Sequence, residues 1–72
     1  IFQLEKGLLD SSTQLENLNL AKNVLKFLKS YNLKNLICLK SLNLSLNQIT
    51  KIDEDTFSNN FNLENLQLQF NK

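Results

Sequence analysis

Neither histidine nor arginine occurs among the 72 residues, and cysteine and glycine occur once each. These absences exclude whole classes of function. Without histidine the commonest general base is missing, and Cys38 has no imidazole to pair with for nucleophilic work. A lone cysteine cannot form an internal disulfide; it reads as a small hydrophobe beside a core and leaves the redox compartment open. All eight cationic residues are lysines, the net charge is +1, and the aromatics are not interleaved among the lysines, so the footprint of a nucleic-acid binder is lacking. No apolar run approaches the ~18 residues of a membrane span, so no membrane insertion is expected of this segment. The stretch Ile1 to Glu5 lacks the charged start and apolar middle of a signal peptide, and the chain is read as carrying no address of its own.

What the chain does have is a period. Leu39-Lys40-Ser41-Leu42-Asn43-Leu44-Ser45-Leu46-Asn47 places leucines at relative positions 1, 4 and 6 and an asparagine at 9. Moving twenty-four residues either way returns Leu15, Leu18, Leu20 and Asn23, then Leu63, Leu66, Leu68 and Asn71. Apolar and polar residues alternate through each copy, the mark of a half-buried strand. Leu25, Leu28, Leu33 and Leu36 fill positions 11, 14, 19 and 22 of the first full repeat; Ile49, Ile52 and Phe57 fill the first three of these in the second. Asn60 stands where the pattern calls for leucine, with Phe61 one place later as a candidate substitute.

The expected organisation is one repeat segment over 1–72: a partial repeat at 1–14, full repeats at 15–38 and 39–62, and a second partial repeat at 63–72. Ile1, Leu4 and Leu9 take positions 11, 14 and 19 of the first part, and Gly7 lies where a positive φ is plausible. So short a chain buries only about 60% of its unfolded surface, and it reads as a piece of something larger. A competing reading takes Lys22, Lys26 and Lys29, offset from Leu25, Leu28, Leu36 and Leu39, as a basic amphipathic helix at a membrane surface. That helical period does not persist into the next copy, whereas the twenty-four-residue period does.

The three copies match L-x-x-L-x-L-x-x-N-x-L, and the chain resembles the leucine-rich repeat family. The resemblance implies an α/β solenoid: a right-handed coil with short parallel strands on the concave side and loops or short helical turns on the convex side. A period of twenty-four with phenylalanine admitted at position 19 looks like the class common in extracellular receptors and adhesion proteins such as Toll-like receptors. It implies a protein-binding or ligand-recognition module at the cell surface or outside the cell, part of a larger receptor or adhesion protein, with flanking repeats of its own chain as neighbours. The alternatives are spacer repeats in a longer solenoid and an intracellular, cytoplasmic scaffold.

If positions 4 and 6 point inward, their neighbours form the outer face of the sheet. Position 2 reads Glu16, Lys40, Glu64, an alternating charge ladder; position 3 reads Asn17, Ser41, Asn65; position 5 reads Asn19, Asn43, Gln67. Position 7 contributes Ser45 and Gln69 after Ala21, and position 8 contributes Lys22, Leu46 and Phe70. These are the candidate contacts for a protein or other macromolecular ligand. Leu46 and Phe70 serve either as packing on the adjacent turn or as an apolar anchor in a polar surround.

Asn23, Asn47 and Asn71 are read as a structural ladder, since an asparagine amide supplies both the donors and the acceptors that buried turns need. Asp53-Glu54-Asp55 resembles a calcium cluster only in charge; it has no glycine turn and no further ligand, so a solvated loop is expected and no metal or cofactor is assigned. Asn43-Leu44-Ser45 is the one N-x-[ST] sequon, which makes Asn43 a glycosylation candidate whose glycan would block the sheet face. Glu16 and Glu64 lie two strands apart, about 10 Å, on an open face without the burial that tunes catalytic pairs, so a non-enzyme is expected.

Overall fold

The computed structural model describes residue 4 and residues 7–71. Ile1, assigned above to a core position, lies outside the described residues. Five strands form: β1 (Asn17–Asn19), β2 (Phe27–Leu28), β3 (Ser41–Asn43), β4 (Lys51–Ile52) and β5 (Asn65–Gln67). β1, β3 and β5 make one parallel sheet with β3 in the centre, and β2 and β4 make a second parallel pair.

The register is in steps of twenty-four: Asn17 faces Ser41, which faces Asn65, and Leu18, Leu42 and Leu66 follow. Parallel strands cannot be joined by tight hairpins, so each is reached by a long return path. The ladder outruns the strands. Leu20 N donates to Asn43 O at 2.8 Å and Lys22 N to Ser45 O at 3.1 Å, and Leu44 and Leu46 repeat this one coil later with Gln67 and Gln69.

The core is the inner face of both sheets together with the return path. Leu25, Leu28, Leu33, Leu36, Leu39, Leu42, Leu44 and Ile49 are buried there with Leu4, and Ile52 and Phe57 pack against them. Burial is deepest in the middle coil: Leu42 is 1% exposed, whereas its register partner Leu66 in edge strand β5 is 40% exposed.

The return path corrects the sequence reading in two respects. Among the described residues there is no helix, so of the loops or short helical turns expected on this side the chain takes loops, and the competing basic amphipathic helix over 22–40 is absent. Phe27-Leu28 and Lys51-Ile52 form strands instead, because Gln48 N, Thr50 N and Asp53 N donate across to the carbonyls of Leu25, Lys26 and Leu28. Isolated turns complete the path: Leu36 N bonds Leu33 O, Leu39 N bonds Leu36 O, and Asn60 and Leu63 repeat both one period on. Gly7, at φ 84, opens an earlier turn that Asp10 N closes.

The second correction concerns Asn60. Phe61 does not turn in; it is 76% exposed. The backbone keeps its period, so Asn60 itself is buried and recovers its desolvation by donating through Nδ2 to Leu33 O at 3.1 Å and Leu36 O at 3.0 Å. Its Oδ1 is buried without a partner among the described residues.

Candidate functional site

The three-stranded sheet presents a shallow groove of about 310 Å³. Asn17, Ser41 and Asn65 form one row of its lining, and Asn19, Asn43 and Gln67 form the next; Leu18 and Leu42 reach it between the rows. The strand alternation places these polar side chains outward, because the leucines beside them are taken by the core. Glu16, Lys40 and Glu64 lie just before the strands and are exposed. Lys40 Nζ stands 3.7 Å from Glu16 Oε1 with both side chains more than half exposed. Glu64 enters no ion pair among the described residues, so the charge ladder is closed on one side of Lys40 only.

The second row has a structural task. Asn19 Oδ1 accepts from Ala21 N at 3.0 Å, and Asn43 Oδ1 accepts from Ser45 N at 3.0 Å and from Ser45 Oγ at 2.7 Å. These two-residue loops close the C-terminal end of each strand, as asparagine side chains commonly do in turns. Ser45, a candidate contact, is therefore corrected: at 6% exposure it faces Asn43 and not solvent. Gln69, its counterpart in the last copy, is exposed. Asn43, which begins the sequon, is half-buried within the groove, and its carbonyl oxygen is held by both Ser45 donors.

Position 8 shows a feature that the sequence did not announce. Lys22, Leu46 and Phe70 have φ of 62, 59 and 63°, the left-handed region that favours glycine. The bend they impose comes immediately before each recurring asparagine and turns it inward. Asn47 Nδ2 then donates to Leu20 O at 2.9 Å, Leu44 O at 3.0 Å and Ser45 O at 3.2 Å, while its Oδ1 accepts from Leu25 N. Asn71 does the same with Leu44 O, Leu68 O and Ile49 N. Among the described residues, Asn23 bonds within its own turn, to Leu20 O and Ala21 O.

Asparagines on the return path behave alike, and they were not singled out by sequence. Asn35, Asn59 and Asn62 donate to Asp10 O, Lys34 O and Ile37 O, each 25 residues earlier. Buried Asn32 reaches Leu4 O. The common offset was present in the sequence, but an asparagine on a loop carries no mark that separates it from polar surface.

The same bend leaves Leu46 and Phe70 exposed. Phe70 is 73% exposed, and with Phe27, Lys26 and Thr50 and with Asn47 and Gln48 of the adjacent turn it lines a second groove, of about 450 Å³, beside the sheet. The acidic cluster is tied into backbone: Asp53 Oδ2 accepts from Ser30 N at 2.8 Å, and Thr56 bonds Asp53 O through both its amide and its hydroxyl. Among the described residues no three His, Cys, Asp or Glu side chains are grouped to hold a metal ion, and no helix is long and apolar enough to cross a membrane.

Comparison with known proteins agrees with this repeat geometry. Residues 13–72 match the model of the leucine rich repeat family. Two similar proteins, Toll-like receptor 2 type-1 and type-2 of Gallus gallus, are each 43% identical over 51 residues, which is 71% of this chain and 6% of theirs. The chain thus spans only a small part of the relatives it matches. With parallel strands recurring every twenty-four residues and the family match covering all but the first turns, this chain belongs to the leucine-rich repeat family.

Proposed function

We propose that the chain is a recognition module of a larger leucine-rich repeat receptor, one coil section of a right-handed solenoid whose concave strand face meets a protein or other macromolecular ligand. One observation carries the reading: the groove on the sheet is lined by outward polar side chains of all three strands, rich in both donors and acceptors, with Leu18 and Leu42 between them. A stacked sheet holds such groups at fixed spacing, so a partner pays little to order them. Similarity to two proteins named as receptors supports a place at the cell surface, with the cytoplasm as the alternative.

The test uses peptides selected from a displayed library against this chain. Their affinity is compared with that for a variant carrying Asn17→Ala, Asn65→Ala and Gln67→Ala together, three exposed side chains whose removal leaves the core intact. Strand-face recognition predicts a loss of at least about tenfold, since interface energy concentrates in a few side chains. Unchanged affinity across the selected peptides counts against it.

A second reading, repeats serving as a spacer, draws on one specific observation: Asn19 and Asn43 spend their Oδ1 atoms on closing their own strands. Under that reading the triple variant is neutral for every binder of the longer protein.

A further inference from the structure

Charge along this chain is sorted, although it nearly cancels in sum. The two complete stretches that run from the left-handed residue to the return strand, 22–27 and 46–51, contain Lys22, Lys26 and Lys51 and no acidic residue. The acidic side chains fall elsewhere, at Asp10, Glu16, Asp53, Glu54, Asp55, Glu64 and Glu5. These two stretches are therefore basic, and the first acidic residue after them is Asp53, beyond β4. None of their lysines enters an ion pair among the described residues.

The same region carries exposed apolar groups. Phe27 lies opposite Lys51 in the β2 and β4 pair, and Lys29 Nζ sits 5.6 Å from the centre of its ring. Phe70, 73% exposed, lines the second groove together with Phe27, Lys26, Gln48 and Thr50. Phe70 is unfavourable twice over. Its ring is left in water, and its backbone occupies a region that costs a non-glycine residue about 1–2 kcal/mol elsewhere in proteins. The backbone penalty serves the asparagine ladder, as it does at Lys22 and Leu46, so the exposed ring is the part of Phe70 that the fold does not require.

We propose that this lateral groove docks an acidic peptide segment bearing an apolar side chain, which seats between Phe27 and Phe70 while its carboxylates meet Lys26 and Lys51. Complementarity of charge selects the acidic partner, because Lys26 is the charged residue of the groove's lining and Lys51 lies beside Phe27. The two rings and the roughly 450 Å³ between them take one or two aliphatic side chains. This surface lies beside the strand face and does not depend on the function proposed for that face.

The experiment is fluorescence anisotropy of a labelled peptide alternating glutamate with leucine, titrated with this chain. Control peptides carry lysine for every glutamate or serine for every leucine. Saturable binding is expected for the first peptide alone, weakened about tenfold by Lys26→Glu and by Phe70→Ala and unchanged by Asn65→Ala on the strand face. Circular dichroism of each variant separates loss of contact from loss of fold. Equal binding of the lysine peptide overturns the proposal, as does indifference to both groove variants. Sensitivity to Asn65→Ala alone would move the site to the sheet. Cosedimentation with phosphatidylglycerol vesicles that Phe70→Ala abolishes, without peptide binding, would assign the groove to a lipid surface. Self-association abolished by Phe70→Ala would assign it to a second copy.

Discussion

The amide nitrogen of Leu25 donates to Oδ1 of Asn47 at 3.1 Å, across 22 residues and inside the core. Neither group has water as an alternative, so the bond is defended by the cost of breaking it.

Asn47→Ala strands Leu25 N and removes the donor to Leu20 O. The expected loss is about 3 kcal/mol, the sum of one buried unsatisfied donor and the lost amide bonds. Asn23→Ala, whose bonds among the described residues lie within its own turn, is expected to cost about 1 kcal/mol. Urea unfolding monitored by circular dichroism gives both values.

Lys22→Gly is expected to stabilise. At φ 62 glycine relieves about 1–2 kcal/mol of backbone strain and loses about 0.5–1 to its greater freedom when unfolded, leaving a net gain of about 0 to 1.5 kcal/mol. Lys22→Ala keeps the strain and is expected to change nothing. A shift in the urea midpoint for glycine but not alanine is the signature.

Asn60→Leu restores the repeat pattern and removes a buried oxygen that has no partner. Leu33 O and Leu36 O each keep the turn bond they already accept, from Leu36 N and Leu39 N. The expected outcome is about 1 kcal/mol of added stability from apolar burial. A lower thermal midpoint would show that the two asparagine bonds outweigh that gain.

Glu16→Gln breaks the ion pair with Lys40, but both groups are more than half exposed. The change is expected to stay within about 0.5 kcal/mol and to vanish in 1 M salt, where screening acts over about 3 Å.

How much of this was legible follows from what each feature asks of a residue. Leu18, Leu42 and Leu66 face one another because alternation and period suffice to place them, and both are written in residue type. Lys22, Leu46 and Phe70 hide their left-handed backbone, since none is the glycine or asparagine that would signal it. β2 and β4 are two residues long, too short for any pattern to show. Ser45 reads as a surface serine, and only its neighbour Asn43 explains why it is buried. Asn60 looked like a break in the pattern because its size and polarity were judged apart from the carbonyls one coil away.

The bonds that asparagine side chains donate between coils share a direction. Each runs from the Nδ2 of a later residue to a carbonyl made earlier: Asn47 to Leu20, Asn60 to Leu33, Asn71 to Leu44, Asn35 to Asp10, Asn62 to Ile37. On a ribosome the acceptor has always emerged before its donor. The asparagine side chains of a new coil therefore dock onto carbonyls already in place, whereas the backbone amides of Leu25 and Ile49 wait for Asn47 and Asn71 to be made.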